Sequence, residues 1–160
     1  MSLGVIISKE GSVIAPNVED DEALFRAQLT DGSSHQLVSA TTTVNGSPFY
    51  LFSIIPGESG PPTFPFASIG MSGSLRLGQT VIGLGGAQKN EVAIGIISSL
   101  EERTDSPHRG IGTNLYVNSV MVGSPLLTLN GQLVGIMEGG TTASRGAFLP
   151  IDQAREIYLF

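Results

Sequence analysis

The chain has no cysteine and few histidines, and each shortage removes a class of chemistry. The absence of cysteine from its 160 residues excludes disulfides, thiol catalysis and zinc sites with cysteine ligands. Only two histidines occur, His35 and His108, and neither lies in a His-Glu-x-x-His motif. A transition-metal site therefore has little to build on. We expect neither a metal nor a cofactor.

Positive charge and long apolar runs are also scarce. Eight lysines and arginines stand against fourteen acidic residues, which gives a net charge of −6 without a basic patch. This balance argues against nucleic acid and anionic membrane surfaces as partners. No run approaches the roughly 18 apolar residues of a membrane span, so we expect no membrane insertion by this segment. The start, MSLGVIISKEG, lacks the basic region of a signal peptide. We expect an excised domain of a longer protein, and its localisation stays open.

What the chain does have is many short apolar runs separated by turn residues. Apolar residues make up 41% of the sequence, with 21 glycines and 9 prolines, which favours one β-rich domain. Runs at 4–7, 81–84, 92–97 and 133–137 are too short for amphipathic helices, and we expect buried strands there. Asn130-Gly131, between apolar runs, is the strongest hairpin signal. Only residues 151–158 have helical character.

One segment carries a resemblance. TNLYVNSVMVGSPLLTLNGQLVGI, residues 113–136, resembles the catalytic segment of trypsin-like serine proteases of the HtrA/Deg type. Those proteases have Gly-Asn-Ser-Gly-Gly-Pro-Leu in the loop before the hairpin. In an alignment without gaps, Val122 stands at the nucleophile position and Val120 stands at the position of the oxyanion-hole glycine. GVIISKEGSVIAPNVED (4–20) and PFYLFSI (48–54) are similar to the strands that carry the catalytic histidine and aspartate. These alignments place Val18 and Pro48 at the two positions.

The resemblance implies an architecture. It predicts an all-β fold of two antiparallel six-stranded β-barrels, the N-terminal barrel possibly trimmed, with a short C-terminal helix. The Pro- and Gly-rich stretch 56–65 separates the two halves. We therefore expect an N-terminal barrel at 1–57, a linker at 58–65, a C-terminal barrel at 66–150 and a helix at 151–160. The active-site cleft of such proteases lies between the barrels.

Two hypotheses about function follow, and they come from different classes. The first is a non-catalytic pseudoprotease domain that binds a protein or peptide, for example as a strand added along the cleft edge. Its binding residues would be Gly123, Ser124, Glu138, Gly139, Gly140 and Thr141, since 138–145 resembles the loop beside the specificity pocket. Another possibility beside this hypothesis is that the cleft is filled by loops of the domain and binds nothing. The domain would then act as a spacer or an oligomerisation unit.

The second hypothesis is an active serine hydrolase with a displaced nucleophile, Ser124, and either His108 or His35 as its base. Structural explanations are simpler for these three side chains: a loop hydroxyl and two solvated histidines. Two further motifs also have simpler structural explanations. The acidic run 19–22 is more typical of a solvated loop than of a cation site, and GLGGAQKN (83–90) lacks the Gly-Lys-Ser/Thr of a phosphate loop.

Overall fold

The computed structural model describes residues 2–16, 25–40, 48–57, 63–85, 91–102, 109–116, 121–137 and 145–154. Within them the chain forms twelve strands and two 3₁₀ helices, with no α-helix in these ranges. The first five strands are Val5–Ile6 (β1), Ser12–Pro16 (β2), Arg26–Gln28 (β3), Ser34–Ser39 (β4) and Phe49–Ile54 (β5). The others are Ser68–Ile69 (β6), Thr80–Gly85 (β7), Glu91–Glu102 (β8), Arg109–Tyr116 (β9), Pro125–Thr128 (β10), Gln132–Met137 (β11) and Arg145–Pro150 (β12). The 3₁₀ helices are Ser72–Ser74 and Ile151–Ala154.

The strands form one closed barrel and one curled half-barrel. The half-barrel has the strand order β1-β2-β5-β4-β3, and every pairing in it is antiparallel. In the second sheet the order is β10-β7-β8-β9-β12-β11, and pairing of β10 with β11 closes the ring of six. Strand β6 adds to β11 in parallel. The all-β prediction with a trimmed N-terminal barrel is therefore confirmed.

Turns that contain glycine close two of the hairpins, one of them at the predicted position. β10 and β11 flank Asn130-Gly131, and Gly131 has a φ of 76°, a left-handed conformation that favours glycine. β3 and β4 flank Asp31-Gly32, where Gly32 has a φ of 85°. The Ser33 N–H donates to the Asp31 carboxylate at 2.8 Å. Hydrogen bonding from the Ser33 side chain, with this backbone bond, lowers the pKa of Asp31.

Strand alternation divides the buried side chains among three clusters. On β2, Val13 and Ala15 pack inside the half-barrel with Phe52, whereas Ile14 points to the other side of the sheet. There it packs with Phe49 and with side chains of β11 and β12, so this middle cluster joins the two sheets. The third cluster fills the closed barrel and includes Val81, Ile97, Ile111, Leu126 and Phe148.

Two details differ from the sequence-based expectation. Residues 92–97 do form a strand, but only one of its faces is buried: Val92, Ile94 and Ile96 are 65%, 72% and 41% exposed. An apolar run cannot show which faces of a strand are covered. At the chain end, the described part of the predicted helix is the single 3₁₀ turn Ile151–Ala154, and residues 155–160 lie outside the described ranges.

Candidate functional site

The loop before β10 is a tight turn with Val122 near its tip. The Ser124 N–H donates to the Met121 carbonyl at 2.8 Å, which closes a four-residue turn. Gly123, its third residue, has a φ of 85°, as a type II turn requires at that position. Val122, the predicted nucleophile position, has a side chain that is 37% exposed. The sequence therefore presents a hydrocarbon side chain where the turn meets solvent.

Backbone hydrogen bonds hold this turn on both sides. The Gly123 N–H donates to the Met137 carbonyl and the Met137 N–H donates to the Ser124 carbonyl, both at 2.9 Å. On the other side the Leu3 N–H donates to the Val122 carbonyl at 2.8 Å. A Cβ atom added at Gly123 would collide with the Leu3 backbone. The turn is therefore fixed between β11 and the segment that precedes β1.

Ser124, the candidate displaced nucleophile, lies inside the structure. Its side chain has no exposed surface, and its Oγ accepts a hydrogen bond from the Met121 N–H at 2.8 Å. This is the arrangement of a loop hydroxyl that satisfies a nearby backbone donor. A substrate carbonyl would have no route to this oxygen without opening of the turn.

His35, one of the two candidate bases, lies on β4 in the N-terminal half-barrel. Its Nε2 is 3.0 Å from the Ser33 Oγ, and its ring packs edge-on against Phe64 at 5.6 Å between centroids. The ring is half-buried rather than fully solvated, in contrast to the expectation for an exposed strand face. No hydrogen bond to Ser124 or to the 121–124 turn accompanies these contacts.

The other predicted site residues are only partly covered. Pro48 lies in a bend just before β5 and is half-buried. Val18, Val120 and His108 fall outside the described residues, as do Glu138, Gly139, Gly140 and Thr141. The described residues thus place Val122, Gly123 and Ser124 in one turn. The assignment of Val18 and Pro48 to the positions of the catalytic histidine and aspartate stays a prediction.

A cavity of about 540 Å³ opens beside Val122 and extends into the half-barrel. Its volume is in the range of about 300–1,000 Å³ that is typical of ligand pockets. The lining comes from the start of the chain, from all five strands of the half-barrel and from Val122. Its larger apolar members are Leu3, Ile6, Val13, Phe25, Leu29, Leu37 and Phe52. Sequence reasoning did not single out these side chains. The alternation in FYLFSI and SVIAP was the signal available.

The chemistry of this cavity is apolar. Arg26 is its only charged lining residue among those the structure describes. Nor do the described residues bring together three or more histidines and carboxylates as a metal site would need. Such a cavity can hold apolar side chains and strand backbone, and its described lining offers no group for acid–base chemistry. Separately, no helix within the described ranges is long and apolar enough to cross a membrane.

Comparison with known proteins agrees with this geometry. The family described as "Trypsin-like peptidase domain" matches residues 4–136. The chain belongs to this family. As a trypsin-like domain it is similar to "Serine protease HTR4" of Rattus norvegicus, with 25% identity over 96% of this chain and 32% of that protein. It is also similar to "Putative serine protease HhoA" of Synechocystis sp., with 29% identity over 96% of this chain and 41% of that protein.

A solved structure gives the same result for the fold. The trypsin-like domain superposes on "HtrA-type protease AlgW with decapeptide" with a TM-score of 0.79 at 20% identity, over 98% of this chain and 50% of that one. The chain thus shares the fold of this HtrA-type protease. It spans between 32% and 41% of the length of the two curated relatives named above.

Proposed function

We propose that this HtrA-type trypsin-like domain is non-catalytic and binds an extended peptide or protein segment. The observation that carries the proposal is the 121–124 turn. Backbone hydrogen bonds hold the turn in a fixed conformation. Its exposed side chain is that of Val122, which stands at the predicted nucleophile position. Valine has neither a proton to give up nor a lone pair with which to attack a carbonyl.

The adjoining cavity supports the binding half of the proposal. Apolar surface in a concave site favours apolar ligand side chains. Each Å² of apolar surface that is taken out of water lowers the free energy by about 25 cal/mol. The structure of the HtrA-type protease AlgW contains a decapeptide. For this chain, peptide binding is consistent with the same fold and with an apolar cavity beside Val122.

The alternative, a hydrolase that uses Ser124, has less support. A nucleophilic hydroxyl must reach both the substrate and a base within about 2.6–3.2 Å. Ser124 is fully buried and accepts a backbone hydrogen bond, while His35 contacts Ser33 and Phe64. Placement of His108 as the base remains part of that alternative hypothesis.

Fluorescein-labelled β-casein, an unfolded protein, tests both halves of the proposal at once. We expect the domain to raise the anisotropy of the labelled casein while the casein stays intact on a gel. Val122→Asp should weaken the binding, because it places a charge at the mouth of an apolar cavity. Fragments that appear with the wild type and disappear with Ser124→Ala would establish the hydrolase instead. Absence of any anisotropy change would refute the binding function.

A further inference from the structure

Strand β3 is an edge of the half-barrel, and half of its backbone groups point away from the sheet. The Leu37 N–H donates to the Phe25 carbonyl and the Leu29 N–H donates to the Ser33 carbonyl, both at 2.9 Å. Successive residues of a strand direct their backbone N–H and C=O groups to opposite sides. The backbone groups of Arg26 and Gln28 therefore point away from β4, toward the free edge. Within the described part of the chain, nothing bonds to those outward groups. The edge can therefore accept another strand.

The cavity beside Val122 lies directly behind this edge. Phe25 and Leu29 flank β3 and pack against the inner cluster of the half-barrel. Val13, Leu37 and Phe52 continue the apolar lining from the other strands. A strand paired with β3 would therefore direct every second side chain into a space of about 540 Å³ that is lined mainly by apolar residues.

The same edge carries a positive charge at the rim of the cavity. Arg26 is exposed, and no carboxylate of the described residues forms an ion pair with it. Opposite charges on neighbouring strands stabilise a cross-strand pair. A strand docked on β3 would thus be favoured by an acidic side chain at the outward position next to Arg26.

We propose that an extended peptide with alternating apolar and polar residues, including an acidic one, adds to the outer edge of β3. Its apolar side chains fill the cavity, so the peptide supplies a further strand to the half-barrel. The edge from Phe25 to Leu29 matches about five residues, or about 17 Å of strand. This inference rests on the proposed binding function and assigns it to the β3 edge rather than to the edge of the cleft between the barrels.

The substitution Gln28→Pro tests the proposed backbone hydrogen bond between Gln28 and the peptide. Proline removes the outward N–H of residue 28, which the sheet does not use, and proline is tolerated on edge strands. Gln28→Ala is the matched control, since it shortens the side chain but keeps the N–H. Thermal unfolding of both variants would show that each is folded at the temperature of the binding assay.

The probe is a fluorescein-labelled nine-residue peptide of alternating valine and threonine with one central aspartate in place of threonine. We expect it to bind the wild type and Gln28→Ala alike, and to bind Gln28→Pro about tenfold more weakly, because a backbone hydrogen bond is lost and the ring obstructs pairing. Hydrogen exchange should show new protection of the Arg26 and Gln28 amides on binding. Arg26→Glu should weaken binding of this peptide and not of its aspartate-to-lysine counterpart.

Three results would overturn this assignment. Equal affinity of Gln28→Pro and Gln28→Ala would exclude pairing with β3. Protection confined to β11 and the 121–124 turn would leave the proposed binding function in place and refute its location at β3. No binding of the peptide to the wild type would also refute the β3 site, whereas the casein experiment would still decide the proposed function independently.

Discussion

Val122 is the residue on which the proposed loss of catalysis depends most directly. In the assignment proposed above it occupies the nucleophile position, and Val18 occupies the position of the base. Even with an intact oxyanion hole, a protease without a working triad keeps only about 10³–10⁴ of its acceleration over water. In this assignment, two apolar residues in those positions would leave no group to attack a carbonyl or to accept the proton.

Val122→Ser should therefore remain inactive. The variant regains a hydroxyl at the exposed tip of the turn, but a serine needs a base within about 2.6–3.2 Å, and Val18 would supply none. Hydrolysis of fluorescein-labelled casein, followed by release of soluble fluorescence, measures this. Turnover in this single variant would show that a base lies within reach of residue 122 and would contradict the proposal that the site has none.

Gly123 fixes the conformation of the same turn, and Gly123→Ala should destabilise the fold. The residue has a φ of 85°, and an added Cβ would meet the Leu3 backbone. We expect a loss of more than about 1 kcal/mol in the free energy of unfolding, measured in urea. Gly57→Ala is the control, because no atom lies within 4 Å of its added Cβ. Equal effects of the two changes would refute the close packing of Leu3 on the turn.

Strands and hairpins show how far the sequence leads at the level of elements. The β10–β11 hairpin was predictable because Asn130-Gly131 determines a turn locally. The burial of β8 was not, because coverage of a strand depends on what packs against it from elsewhere in the chain. The same limit applies to Ser124, whose burial follows from long-range contacts of the turn with β11 and the start of the chain.

One substitution made on two strands tests this difference in burial. Ile136→Val on β11 removes a methylene from a fully buried side chain and should cost about 0.5–1.5 kcal/mol. Ile94→Val on β8 makes the same change at a side chain that is 72% exposed, and we expect an effect within about 0.5 kcal/mol. Urea unfolding of both variants gives the comparison. A larger loss at Ile94 would mean that the outer face of β8 is covered in solution.

The two sheets depend on each other through the cluster between them. Phe49 and Ile14 of the half-barrel pack there with Leu133, Ile136 and Leu149 of the closed barrel. The sequence resemblance predicted both barrels, and the composition of residues 56–65 predicted a linker between them. It did not show that the half-barrel interior is open, because that depends on which strand edges remain unpaired.

Phe49→Ala should destabilise the whole domain in a single transition. Phe49 is 2% exposed, and truncation of a buried phenylalanine costs about 3–5 kcal/mol. Phe66→Ala is the control, since Phe66 is 52% exposed and lies outside the clusters. Calorimetry should show one lower unfolding temperature for Phe49→Ala. Two separate transitions, with the upper one unchanged, would show that the barrels unfold independently.

The absence of a working nucleophile is tested most directly by intact-mass measurement after incubation of the purified domain with a reactive fluorophosphonate. An active HtrA-type protease serves as the positive control. The proposed function predicts no covalent adduct on the domain under conditions that label the control completely. A stoichiometric adduct mapped to Ser124, or to any other serine, would contradict it.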